Sequence, residues 1–338
     1  SLGASLNFST NPDGSFVSLT APTVNLEQAG TVLVDIVQDA TFPEDELQRE
    51  RKRALDGLTA TLNDPGALAG LAAARVMYGD APYGRVANPA SLPAITRDDL
   101  VAHRETWWHP GVARIVVSGG ISAADAERLA GSLFGAWTTE RSAPAPIANP
   151  AGVAPAPRTV VIDMPDAGQA AVVAGVRALT RQDPRFYPLW LTNTVLGSGS
   201  NGRLFEEVRT KRGLSYGAYS SLATRADEAT LSAQAQTKNE TADEVAAVFF
   251  EEFTKLGAET LDEEALQKRR LFRGGALARQ LETSGGFNGI VASLMLRGIE
   301  PQEAFEVAQR LSAVSPEDVA QMAGAFLDPE RASLVIVG

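Results

Sequence analysis

The chain repeats itself, and this repeat constrains its fold more than any other feature. The segment 42–51 (FPEDELQRER) is similar to 261–270 (LDEEALQKRR), which lies 219 residues later. Other segments repeat at the same or a similar offset: 95–100 with 314–319, Pro110 with Pro329, 115–119 with 334–338, and 15–23 with 229–237. Because these matches are collinear, the sequence indicates a duplicated domain.

A Pro- and Ala-rich stretch separates the two copies. Residues 141–157 (RSAPAPIANPAGVAPAP) carry too much proline for a helix or a central strand, so they predict a linker. We therefore expect a first domain over 1–140 and a second domain over 158–338. By the repeat offset, the first copy would begin about sixty residues before Ser1, so we expect this chain to lack the front of that copy.

Composition excludes several classes of protein. The 338 residues suffice for two domains, and the absence of cysteine excludes disulfides, thiolate metal sites and cysteine nucleophiles. A net charge of −11 argues against a nucleic-acid partner, because phosphate binding needs a basic surface. No apolar run reaches the length of about 18 residues that a membrane span requires. The residues given begin without Met and without a charged and then apolar segment, so the sequence predicts no signal peptide within them.

The residue pattern predicts strands followed by long helices and a final apolar strand in each copy. The predicted strands are 5–9, 16–21 and 114–118 in the first copy and 158–163, 169–176, 216–223, 230–237 and 332–337 in the second. The predicted helices include 26–39, 124–137 and 243–256. This order predicts an α+β fold with two homologous domains, each with helices on one face of a mostly antiparallel sheet.

Three short patterns have ordinary explanations. Gly197, Gly199 and Gly202 match the G-x-G-x-x-G of dinucleotide sites, but residues 186–196 before them have helical spacing. A flexible loop between two helices is therefore favoured over a nucleotide site. His103 and His109 are six residues apart, which does not place two zinc ligands on one helix face, so they predict packing or surface roles.

The segment 203–216 (RLFEEVRTKRGLSY) predicts a helix that ends at Gly213 and is followed by a strand. Without other information, Arg209 is a cation near a helix C-terminus and Tyr216 is an aromatic residue on a sheet. Together with the loop before it, however, the stretch 197–222 resembles the second-domain signature of the pitrilysin, insulinase and mitochondrial processing peptidase family of zinc peptidases. The resemblance extends over essentially the whole chain.

In the two-chain branch of that family, one subunit binds zinc through H-x-x-E-H and a distant Glu. The other subunit lends an Arg and a Tyr, seven residues apart, to the shared cavity. Arg209 and Tyr216 match those positions. The position of the distant Glu is taken here by Gly57, which has no side chain to bind metal.

The resemblance therefore implies a non-catalytic subunit with no metal of its own, paired with a homologous zinc-bearing subunit. Its substrate would be a peptide or an unfolded protein, and Gly197, Gly199 and Gly202 would help to bind it. Two alternatives stay open: a complete homodimeric zinc peptidase whose metal motif precedes these residues, and a catalytically dead scaffold subunit. A bacterial source is expected, in the periplasm or the cytoplasm, with the periplasm favoured.

Overall fold

Helices and strands alternate along the chain, and all the predicted strands except 114–118 are present. The computed structural model describes residues 2–139, 141 and 155–338, so most of the expected linker lies outside the described residues. The strands are β1 Ser5–Asn11, β2 Gly14–Thr20, β3 Thr159–Ile162, β4 Ala170–Arg177, β5 Ala218–Thr224, β6 Ala229–Thr237 and β7 Ser333–Val337.

Most of the described chain is helical. The helices are α1 Leu26–Gln38, α2 Glu44–Leu62, α3 Pro65–Tyr78, α4 Ser91–Ala94, α5 Arg97–Trp107, α6 Ala123–Phe134, α7 Phe186–Gly197, α8 Arg203–Phe205, α9 Ala242–Ala258, α10 Glu263–Leu281, α11 Ser284–Leu296, α12 Glu303–Ser312 and α13 Pro316–Phe326. None of those within the described residues is long and apolar enough to cross a bilayer. The expected α+β class is confirmed.

The repeat persists in the local structure. Helices α2 and α10 each have 19 residues, and helices α5 and α13 each have 11. Both members of each pair begin 219 residues apart. Helices α5 and α13 also begin with the same capping box, in which Thr96 bonds with Asp99 and Ser315 bonds with Asp318. These two pairs of helices therefore have the same boundaries in both copies.

The two compact units of the chain do not coincide with the two sequence copies. One unit contains residues 2–56, 88–139 and 278–304, and the other contains 57–87, 155–277 and 305–338. The segments 57–87 and 278–304 are equivalent in the repeat, and each belongs to the unit built mainly from the other copy. Equivalent helical segments are thus exchanged between the copies.

The second unit contains a five-stranded sheet in the order β3-β7-β4-β6-β5. Strands β3 and β7 are parallel, and all other neighbouring strands are antiparallel. Val172 and Ala174 point into the larger apolar core with helices α7, α9 and α13. Ala171 and Val173 alternate with them and point to the opposite face, where they pack with α3. The structure therefore adds a helix to the face that the sequence left uncovered.

The first unit contains the β1–β2 hairpin and the adjoining helices α1 and α6. Helices α1 and α6 approach closely at Gly30, where an added Cβ would lie 2.5 Å from the Leu133 side chain. The strand predicted at 114–118 is wrong, because those residues form no strand and Ile115 and Val117 are exposed. Its counterpart β7 pairs with β3 and β4, whose repeat equivalents would precede residue 1.

Candidate functional site

The segment from Arg203 to Tyr216 is helical at first and then widens. Helix α8 continues into a π-helical turn at Glu206–Lys211, a conformation that is often found at functional sites. Leu204 and Val208 are fully buried, as the predicted apolar face requires. The segment ends at Gly213, whose φ of +64° a residue with a side chain rarely adopts. The predicted end is confirmed, whereas the π-helical turn was not foreseen.

Two carboxylates on and next to α9 hold the beginning of this segment. Arg203 Nε lies 2.8 Å from Glu252 Oε2, and its Nη2 lies 2.9 Å from Glu259 Oε2. Burial lowers the pKa of Arg203, but the hydrogen bonds to Glu259 and Glu252 outweigh it and raise the pKa above its ordinary value. Because Glu252 is itself buried, this pair fixes α8 against α9.

The structure brings Arg209 and Tyr216 together. Arg209 Nη1 donates a hydrogen bond to the main-chain carbonyl of Tyr216, and the guanidinium lies 5.2 Å from the centre of the Phe205 ring. Phe205 in turn packs against Tyr219 with the ring centres 5.9 Å apart. The Tyr216 side chain is 85% exposed, so its phenol is available to another molecule.

The glycine-rich loop connects α7 to α8, as the sequence favoured. A Cβ at Gly197 would lie 2.5 Å from the main-chain nitrogen of Ser220, and a Cβ at Gly202 would lie 2.5 Å from the Cα of Gly197. Gly199 has a φ of +86°. The glycines at 197 and 202 thus allow main-chain segments to approach closely. A helix, not a strand, precedes the loop, so the arrangement of a dinucleotide site is not present here.

The sequence did not reveal that α10 holds this loop. Arg273 donates from Nε to Thr194 Oγ1 and from Nη2 to Ser198 Oγ, both at 2.7 Å. Arg269 donates from Nη2 to the carbonyl of Asn201. The repeat carried a signal, because the equivalent positions in the first copy are Glu50 and Ala54. The two copies therefore differ in charge at both positions.

Gly57 lies on the exposed surface of α2, and an added Cβ would meet no atom within 4 Å. The neighbouring Asp56 is paired with Lys52 at 2.6 Å. His103 is exposed, whereas His109 is buried and accepts a hydrogen bond at Nδ1 from the Gly111 N–H. Within the part of the chain that the structure describes, no three His, Asp or Glu side chains are grouped to hold a metal ion. Gly57 therefore does not supply a side-chain ligand for zinc at this position.

Comparison with known families identifies the chain. The family profile described as the peptidase M16 inactive domain matches residues 94–271, which is more than half of the chain. The chain belongs to the M16 peptidase family. This confirms the resemblance to the pitrilysin group and the assignment to its inactive type. The matched residues include the glycine-rich loop, Arg209 and Tyr216.

Similarity to known proteins extends over nearly the whole chain. An uncharacterized zinc protease of Streptomyces coelicolor is 26% identical over 320 residues, which are 93% of this chain and 69% of the relative. A solved peptidase M16 inactive domain from Pseudomonas fluorescens has a TM-score of 0.92 at 24% identity and covers 100% of this chain and 81% of its own. A protease from Helicobacter pylori has a TM-score of 0.87 at 18% identity, with 99% and 82% covered. The two structures establish the shared fold.

Proposed function

We propose that this chain is the non-catalytic subunit of a two-chain zinc endopeptidase and completes the active site of its partner. The observation that carries the proposal is the hydrogen bond from Arg209 to the Tyr216 carbonyl, which holds the two residues together while the phenol stays exposed. The match to the inactive M16 domain and the glycine at position 57 support it. The relatives named as zinc proteases point to peptide hydrolysis.

In this proposal the metal centre of the homologous partner supplies the activated water. Tyr216 donates a hydrogen bond from its phenol to the substrate carbonyl oxygen, on which negative charge develops during the attack. A donor placed for that oxygen lowers the barrier more than it strengthens substrate binding. The high exposure of Tyr216 fits a residue that acts on a substrate bound by another subunit.

Arg209 binds the substrate in this proposal. Only Nη1 donates to a described residue, which leaves the other N–H groups of the guanidinium for a substrate. A planar guanidinium suits a peptide carbonyl or a C-terminal carboxylate, because it offers two parallel donors. The Phe205 ring beneath it restricts the movement of the side chain. The loop with Gly197, Gly199 and Gly202 then guides a peptide or an unfolded protein toward these residues.

The test is to mix the purified chain with its zinc-bearing homologue and follow hydrolysis of a fluorogenic peptide. We expect neither subunit to turn over alone and the mixture to be active. Tyr216→Phe should lower kcat by roughly a hundredfold, the usual effect of losing one oxyanion donor. Arg209→Ala should chiefly raise KM, by roughly tenfold, because it removes a binding contact.

Matched controls are available beside both residues. Tyr219→Phe removes a phenol three residues away, and Lys211→Gln removes a cation that is paired with Glu207. Both variants should behave as the unaltered chain. Unchanged turnover in Arg209→Ala and Tyr216→Phe would disprove their role, and zinc-dependent hydrolysis by the chain alone would disprove the subunit assignment.

A further inference from the structure

Two arginines of α10 lie against the glycine-rich loop from one side of that helix. Arg269 and Arg273 are four residues apart, so their side chains leave the same helix face. Arg273 contacts Thr194 and Ser198, and Arg269 contacts the carbonyl of Asn201. The loop is thereby held at both of its ends, all within the second unit.

These two cations have no counterion among the described residues, unlike several other cations of the second unit. Arg203, Arg212, Lys255 and Arg270 each pair with a carboxylate. Arg269 and Arg273 donate only to hydroxyl and carbonyl oxygens. Burial lowers the pKa of both, that of Arg273 to about 10. Partial burial of a cation without a counterion is unfavourable, which is the cause of both shifts.

Unused donors surround the loop. Nη1 of Arg273 and both Nε and Nη1 of Arg269 donate to no residue in the described part of the chain. The Trp190 ring, 5.1 Å from the Arg273 guanidinium, steadies that side chain. Phe272 is 44% exposed, and its Cζ lies 3.6 Å from the position that a Cβ on Gly199 would occupy. An apolar ring, a main-chain loop and two guanidinium groups therefore meet at one surface.

We propose that Arg269, Arg273 and the loop 197–202 form a binding subsite for a carboxylate of the peptide substrate, either an Asp or Glu side chain or the C-terminus. The carboxylate would supply the missing negative charge and accept the unused N–H donors. Phe272 would contact apolar atoms next to it. That the ligand is a peptide rests on the proposed function; the preference for a carboxylate rests on the arginines alone.

The test uses the whole chain without its partner, so it does not depend on turnover. A set of fluorescein-labelled decapeptides, each carrying one Glu at a different position, is compared by anisotropy with twins that carry Gln. A further pair differs only in a free or an amidated C-terminus. We expect the best carboxylate peptide to bind about tenfold more tightly than its neutral twin, as charge-assisted hydrogen bonds allow.

Variants distinguish this subsite from a merely structural role of the arginines. Arg269→Gln and Arg273→Gln should abolish the preference for the carboxylate while the affinity for the neutral twin stays the same. Lys268→Gln, on the same helix but exposed and paired with Glu264, should keep the preference. A chain that binds both twins equally, or variants that weaken both equally, would overturn the proposal. If Arg209→Ala leaves turnover unchanged but the preference is present, only the proposed function fails.

Discussion

Helices α2 and α10 are equivalent in the repeat, yet their charges are arranged differently. Both have 19 residues, and an arginine at the same repeat position donates to an equivalent carbonyl: Arg51 to Ile95 and Arg270 to Val314. Two positions that face the glycine-rich loop in α10 differ: Glu50 and Ala54 on α2 correspond to Arg269 and Arg273 on α10. Glu50 on α2 is paired with Arg53 at 2.6 Å, whereas Arg269 takes its position on α10 without a carboxylate partner among the described residues.

The hydrogen bonds of Arg51 and Arg270 are the same in both copies and belong to the scaffold. The position of Glu50 and Arg269 is where the two copies differ. A hydrogen bond present in both copies stabilises the fold whichever copy carries a site. Arg269 and Arg273 occur in one copy only, where they hydrogen-bond to the glycine-rich loop but have no carboxylate partner among the described residues. The duplication thus supplies an internal control for separating stability from function, which a single domain does not offer.

The largest expected difference between the copies is in the free energy of unfolding lost when an equivalent leucine is truncated. Leu266 on α10 is fully buried, and its counterpart Leu47 on α2 is half-buried. Leu266→Ala should lower the free energy of unfolding by about 2–5 kcal/mol, because it leaves a cavity in a packed core. Leu47→Ala should cost less than half as much. Urea denaturation of both variants measures this, and equal losses would show that the two helices are packed equally well.

A capping comparison should give equal effects in the two copies. Thr96→Ala and Ser315→Ala each remove the side chain that caps the first turn of α5 or α13. Each should cost about 1 kcal/mol in the free energy of unfolding. Thermal denaturation of the two variants checks the equality. A loss confined to one variant would mean that the capping box contributes to stability in one copy only.

The smallest expected effect on stability concerns Glu228, at the turn before β6. Glu228 precedes β6, where the first copy has Gly14, and it is buried 2.9 Å from Arg177. Burial raises the pKa of Glu228 above 4.5, and Arg177 offsets this only in part. The folded state therefore holds this proton more tightly than the unfolded chain does. The stability that this contributes is present below the ordinary pKa and is lost as the pH rises through the folded value.

Glu228→Gln lacks this titration. The variant should therefore gain stability relative to the unaltered chain as the pH rises from about 4 to about 7. Urea titrations across that range test the slope. A difference between the two proteins that does not change with pH would show that Glu228 does not titrate there.

The sequence predicted local structure well where the signal is local. The strand β6 and the glycine that ends the Arg209 segment are both set by neighbours in the chain. The strand at 114–118 failed because strands need partners, and these depend on distant residues. The π-helical turn and the contacts of Arg273 depend on tertiary packing, which residue patterns do not specify.

The exchange of residues 57–87 and 278–304 between the units links the two copies in folding as well as in sequence. A fragment cut at the Pro/Ala stretch would lack α3, and Ala171 and Val173 on its sheet would face water. Each compact unit therefore contains residues of both copies. One face of the five-stranded sheet is covered by α3, a segment more than ninety residues away from β4 in the chain, so this contact carries the loop-closure cost of a long-range contact.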